Sequence, residues 1–249
     1  MTDNPFSTAN KFADNPEPRC PVVLLLDRSG SMAGESINQL NQGLGAFFEE
    51  IKKDALAALR VEVALITFGG QVKAFDLNGA TPTEIKAADA NGSTIFTGAY
   101  QLTTPPILTT DGQTPMGAAV ELGLRIIREC KEFYKQNGIT YYRPWMFLIT
   151  DGEPTDSKIW ELAAEHSKQE EGRKGVLFYG VGTDGANFEN LARFSNTPPL
   201  RLKGLAFREL FQWLSNSLST VALTDPANTA TQVALPPIGA WGQVNTTSN

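Results

Sequence analysis

A chain of 249 residues, 41% hydrophobic and 19% charged, is long enough to bury a core of its own, as one large domain or two small ones. Its net charge of −6 argues against general nucleic-acid binding, which leans on a basic surface, and leaves room only for a local basic patch. Two cysteines are too few for a disulfide framework, no apolar stretch approaches the roughly 20 residues of a membrane span, and residues 1–19 lack the apolar core of a signal peptide; a cytoplasmic protein is the expectation.

Residues 1–19 are polar and proline-containing and read as a flexible arm. Residues 21–26 form a continuous apolar run, the pattern of a strand buried on both faces of a parallel sheet. Asp27-Arg28-Ser29-Gly30-Ser31 follows, and Ile37, Leu40, Leu44, Phe47, Phe48 and Ile51 then recur at helical spacing to about Asp54. Residues 55–60 bridge to a second strand at 61–68. Gly69-Gly70 turns the chain back into an antiparallel edge strand at 71–75.

Thr81-Pro82-Thr83-Glu84 has the Thr cap and early proline of a short helix. Residues 91–111 are dense in Gly, Thr and Pro and predict long loops around one short helix near 98–102. Thr114 is a candidate cap, with Pro115 at the first helical position, for a helix striped by Met116, Val120, Gly123, Ile127, Cys130 and Tyr134 and ended by Gly138. That stripe reads as core packing, with Cys130 a buried free thiol.

Residues 144–150 predict another central strand, ending at Asp151-Gly152. A helix over 157–171, with Ile159, Leu162 and Ala163 inward, a strand at 175–181 and a short helix at 188–194 follow. A strand at 200–202 and a helix over 205–223 complete the pattern. Residues 224–249 lack periodicity and read as a disordered or extended tail. The alternation predicts a Rossmann-like, doubly wound α/β fold: a mostly parallel sheet with one antiparallel edge strand and helices on both faces. The expected organisation is an arm over 1–19, one domain over 20–223 and a tail over 224–249.

In an open α/β sheet, ligands bind beyond the carboxyl ends of the strands. Three loops converge there, carrying Asp27, Ser29 and Ser31, then Thr114, then Asp151. Three hydroxyls and two carboxylates can surround one hard cation, two negative charges balance a divalent ion, and neutral hydroxyls leave it electrophilic toward an incoming carboxylate. Helix capping is the competing role for Asp27, Ser29 and Ser31. Thr94 and Thr97 rival Thr114, since Gly-Ser-Thr before a helix resembles the same loop. Asp156 suggests a cap just before Ser157, with support of the site near Asp151 as the alternative, Asp184 a turn residue, and His166 an exposed helical position.

Leu24-Leu25-Leu26-Asp27-Arg28-Ser29-Gly30-Ser31-Met32, with Thr114-Pro115-Met116-Gly117 and Ile149-Thr150-Asp151-Gly152, resembles a von Willebrand factor A domain over roughly residues 20–221. The resemblance implies a metal-ion-dependent adhesion site for Mg²⁺ or Mn²⁺. In it Ser29, Ser31 and Thr114 contact the ion, and Asp27 and Asp151 often act through water. Within that family the chain resembles the bacterial TerY-type tellurium-resistance and stress-response group. Some members of that group accompany a PP2C-like phosphatase and a protein kinase.

The expected function is non-enzymatic: binding a protein partner that offers a carboxylate to the metal. Two alternatives are carried. A phosphotransferase of the haloacid-dehalogenase type also places Asp after its first strand, but normally needs a second Asp two residues on as general acid, where this chain has Ser29. The other is a structural assembly role with a vestigial metal site.

Overall fold

A computed structural model describes residues 15–226 and 234–245. Its centre is β1 (Cys20–Asp27), buried at all eight positions. β1 pairs in parallel with β2 (Val61–Gly69) on one side and β6 (Trp145–Thr150) on the other. β7 (Leu177–Gly182) and β8 (Leu200–Leu202) continue the parallel set beyond β6. Because side chains alternate across a strand, Val22, Leu24 and Leu26 enter one core layer and Val23 and Leu25 the other.

The first layer lies under α1 (Glu35–Glu50), α2 (Ala55–Arg60) and α6 (Phe207–Ala222). The second lies under α3 (Met116–Gln136), α4 (Lys158–Gly172) and α5 (Phe188–Ala192). Phe47 of α1 meets Phe211 of α6 at 5.7 Å between ring centroids. Each such buried ring contributes roughly 1.5–3 kcal/mol of transfer free energy. The fold is thus the doubly wound α/β architecture expected, with more antiparallel strands than the sequence suggests.

β3 (Gln71–Asp76) returns antiparallel to β2 through the Gly69-Gly70 turn, as expected. It is not the edge. β4 (Thr83–Lys86) pairs antiparallel with β3, so the stretch predicted as a helix start at Thr81-Pro82-Thr83-Glu84 leads into a strand. The hydrogen bonds β3 offers outweigh a local capping pattern that only a few residues could continue. β5 (Thr97–Gly98) is a two-residue strand against Glu62 and Val63, and the short helix expected near 98–102 is one 3₁₀ turn at Ala99–Gln101.

At the far edge, β9 (Gly242–Val244) pairs antiparallel with β8. The segment before it packs: Trp241 is buried against Trp213, whose Nε1 donates to the Pro236 carbonyl at 2.7 Å. The stretch read as a disordered or extended tail therefore contributes a strand and a core side chain, while 227–233 and 246–249 lie outside the described residues. Residues 1–14 of the predicted arm lie outside the described residues, but 15–19 are docked. Asn15 donates to the Leu59 carbonyl at 2.7 Å, and buried Arg19 pairs with Glu62 at 3.1 Å.

On α4, Ile159 and Leu162 point outward, half exposed, while Ala163, Ala164 and Ser167 face inward. Trp160 packs against the second layer on the same helix. Residues 55–60, read as a bridge, form α2, capped by Asp54, which accepts from the Leu56 and Ala57 amides. Both cysteines are free and buried, and burial pushes the Cys20 thiol up to about 12. No helix among the described residues is long and apolar enough to cross a membrane.

Candidate metal centre

β1 ends on Asp27, whose carboxylate has no solvent exposure. Its Oδ1 accepts the Ser29 amide at 2.8 Å, and its Oδ2 accepts the Thr150 hydroxyl at the end of β6. Burial pushes the Asp27 carboxyl up to about 6; the bonds from Ser29 and Thr150 pull the other way, and nearby Asp151 adds to the rise. Past Asp27, one 3₁₀ turn at Gly30–Met32 folds Ser29 and Ser31 together, with their hydroxyls 3.0 Å apart. The Ser31 hydroxyl donates to Asp151 Oδ1 at 2.7 Å. Four of the five expected residues are thus joined by hydrogen bonds.

Thr114 arrives from the second loop, 5% exposed. It does not cap α3 as expected. Pro115 holds the cap position, and no side-chain cap bond forms there. Backbone bonds hold this loop against the first: the Gly30 amide donates to the Gly112 carbonyl at 3.0 Å, and the Asp111 amide to the Arg28 carbonyl at 2.8 Å. The third loop grips it from the other side. Thr155 Oγ1 accepts the Thr114 amide at 3.0 Å, and the Thr155 amide donates to the Thr114 carbonyl at 3.0 Å.

Asp156 does not cap its own helix. Its Oδ2 accepts the Ala118 amide at 2.8 Å, satisfying an orphan donor in the first turn of α3. Thr150, Thr155 and Asp156 therefore position the site; the sequence offered Asp156 that role only as the alternative to a cap, and the two threonines not at all. For Thr150 the available signal was its place beside Asp151; Thr155 carried none.

The rival threonines lie elsewhere. Thr97 sits in β5 opposite Val63, five residues before Phe68, the partner of Asp27 in register. At about 3.3 Å per residue that is roughly 17 Å from the carboxyl end. Thr94 bonds the Asn91 carbonyl in its own turn. Asp184 pairs with Arg201 at 3.2 Å, and half-exposed His166 contacts Glu121 at 2.6 Å on the outer faces of α4 and α3.

Whether a hard divalent cation suits these residues can be judged from the atoms around Gly152. A Cβ placed there would lie 3.5 Å from Ser31 Oγ, 3.5 Å from Thr114 Oγ1 and 3.9 Å from Asp27 Oδ2. Oxygens from two separate chain segments, the loop after β1 and the loop before α3, face one small space that the missing side chain of Gly152 on the third keeps open. Among the described residues no three His, Cys, Asp or Glu side chains gather to hold a metal ion. Here two carboxylates and three hydroxyls supply an all-oxygen donor set, which fits Mg²⁺ or Mn²⁺ and not a soft ion.

The von Willebrand factor type A domain family matches residues 22–209. Among solved structures, pilus adhesin SpaC from Lactobacillus rhamnosus GG is similar at a TM-score of 0.58 and 14% identity, over 82% of this chain and 31% of SpaC. A von Willebrand factor type A protein from Catenulispora acidiphila is similar at 0.54 and 12% identity, over 82% of this chain and 43% of the other. The PilB minor pilin from Streptococcus sanguinis is similar at 0.50 and 12% identity, over 82% of this chain and 62% of PilB. The chain thus spans less than two thirds of each, and at these identities the likeness speaks for the fold alone. No relative among curated proteins matches the sequence.

Proposed function

Because the chain belongs to the von Willebrand factor type A domain family, whose members are commonly protein-interaction modules, we propose that it is a metal-dependent protein-binding module and not an enzyme. The observation that carries this reading is the space over Gly152, faced by oxygens of Ser31, Thr114 and Asp27. Ser29, Ser31 and Thr114 would hold Mg²⁺ or Mn²⁺ directly, with Asp27 and Asp151 acting through water. When bound, the ion supplies an electrophilic centre for a partner's carboxylate.

The chain's own groups prepare that event. The Ser29 amide and Thr150 hydroxyl fix Asp27, and the Ser31 hydroxyl holds Asp151. Thr155 clamps the Thr114 backbone and leaves its hydroxyl uncommitted. Asp27 and Asp151 together balance a dication, so the hydroxyl ligands add no charge that would weaken its hold on a partner.

The TerY-type resemblance points to a bacterial stress-response system in the cytoplasm, with a PP2C-like phosphatase or a protein kinase as the class of partner. A phosphotransferase reading finds no support: Ser29 stands where such an enzyme needs a second Asp, and a serine hydroxyl does not serve as its general acid. The test is recovery of partner protein from native extract on the immobilised chain. Binding is expected in Mg²⁺, lost in EDTA, and lost with Thr114→Ala. Capture that survives both EDTA and Thr114→Ala would contradict the metal-bridged mode.

A further inference from the structure

Beside the metal centre, an open groove runs between the β3–β4 hairpin and α3. Its upper part, about 490 Å³, is bounded by Gly70, Lys73, Lys86, Ala87 and Pro115, the last adjoining Thr114. Ala87 is shared with a lower part of about 520 Å³, which Arg125 and Arg128 line with Glu121. Arg125 builds the wall, donating to the Ala87 and Ala90 carbonyls at 2.7 and 2.9 Å.

The charge of this groove runs against that of the chain, which carries −6 overall. Lys73 and Lys86 face each other directly across the antiparallel β3–β4 pair, a placement of like charges that destabilises a sheet. Glu84 relieves Lys73, Glu129 relieves Arg125 at 2.9 Å, and Glu121 is engaged by His166. Among the described residues, exposed Lys86 and Arg128 have no carboxylate partner.

We propose that this groove binds an extended acidic segment of a protein partner. This rests on the metal-bridged reading above: one carboxylate goes to the metal and the rest of the segment lies along α3. From Met116 to Arg128 the helix rises about 18 Å, at roughly 1.5 Å per residue. About six extended residues, at roughly 3.3 Å each, cover that span. The segment therefore presents acidic side chains near Lys86 and, about six residues from the metal-bound carboxylate, opposite Arg128. Small walls at Gly70, Ala87 and Ala88 leave room for its backbone.

The test uses fluorescein-labelled hexaglutamate and a labelled six-nucleotide oligothymidylate, with anisotropy read at low salt in Mg²⁺ and in EDTA. The full chain is expected to bind the peptide, and Lys86→Glu with Arg128→Glu to weaken it at least about tenfold, with Mg²⁺ binding heat unchanged and a melting temperature no lower than the wild type's, since Lys86→Glu removes the repulsion from Lys73. Equal peptide affinity in the double variant, or no peptide binding in either buffer, would overturn the proposal. So would oligothymidylate binding as tight as the peptide's and equally lost in the variant, since the groove would then read anions generally. If the wild type binds no Mg²⁺, the metal-bridged reading fails, and the ratio of wild type to variant in EDTA still decides for or against the groove.

Discussion

Asp27→Asn is expected to melt above the wild type when both are held in EDTA at pH 7, and to gain nothing when Mg²⁺ is added. The Asp27 carboxyl is raised from an ordinary 3.8 to about 6, chiefly because burial disfavours its charge. Between those values the folded chain holds more protons than the unfolded one, so this group's contribution to stability falls as pH rises through the window. It is lowest above about 6. The full cost of the ionised carboxylate at pH 7 is on the order of 3 kcal/mol.

An amide removes the charge and can still accept the Ser29 amide hydrogen. It must, however, turn its NH₂ toward the Thr150 hydroxyl, which now donates to Asp27. A net gain of about 1–2 kcal/mol is therefore expected, or roughly 2–8 °C for a domain of this size. In the wild type the cation offsets the same cost: an ion at 100 times its dissociation constant adds about 2.7 kcal/mol. Thermal melts at pH 5 and pH 7, with and without Mg²⁺, read both effects. A variant that melts lower in EDTA, or that still responds to Mg²⁺, contradicts the assignment.

The second large effect is expected at Gly117. A Cβ there would lie 2.3 Å from Trp160 Cα, 2.4 Å from Trp160 N and 2.7 Å from the Ile159 carbonyl carbon. All three are backbone atoms, so no rotamer relieves the overlap and α4 must move away from α3. Gly117→Ala is expected to cost about 3 kcal/mol, or roughly 6–12 °C in melting temperature. The same movement pulls Asp156 from the Ala118 amide and Thr155 from Thr114, so Mg²⁺ binding weakens with it. A melting temperature equal to the wild type's would show that the close approach of α3 and α4 does not hold the third loop in place.

The parallel centre of the fold was legible because its signals are local. The continuous apolar runs before Asp27 and Asp151 and the helical spacing from Ile37 to Ile51 each carry their signal within one element. The edges were not. β4 and β9 are four and three residues long, and each exists because a neighbouring strand offers it a ladder. Nothing within Thr83–Lys86 records that β3 lies beside it, so the capping pattern at Thr81 prevailed in the reading.

The meeting of Asp27, Ser29, Ser31, Thr114 and Asp151 followed from the rule that strand ends share one side of an open sheet. What stayed hidden was the grip on these residues. Thr155 and Asp156 bond backbone amides of the second loop and of α3, forty residues back in the chain, and sequence spacing does not encode such contacts. The outward turn of Ile159 and Leu162 was hidden in the same way: α4 approaches α3 at Gly117 through the backbone of Ile159 and Trp160, and spacing within α4 does not record which of its faces meets α3.

Calorimetric titration with Mg²⁺ and Mn²⁺ of the wild type and Gly152→Ala addresses the metal centre most directly. The added methyl meets oxygens at 3.5–3.9 Å, ordinary contact distances, so the variant folds while the space among Ser31, Thr114 and Asp27 is filled. The wild type is expected to bind one ion per chain, and Gly152→Ala to bind at least about tenfold more weakly, a loss of about 1.4 kcal/mol, with an unchanged melting temperature in EDTA. No heat from the wild type with either ion, or equal affinity in the variant, would contradict a metal held by these five residues.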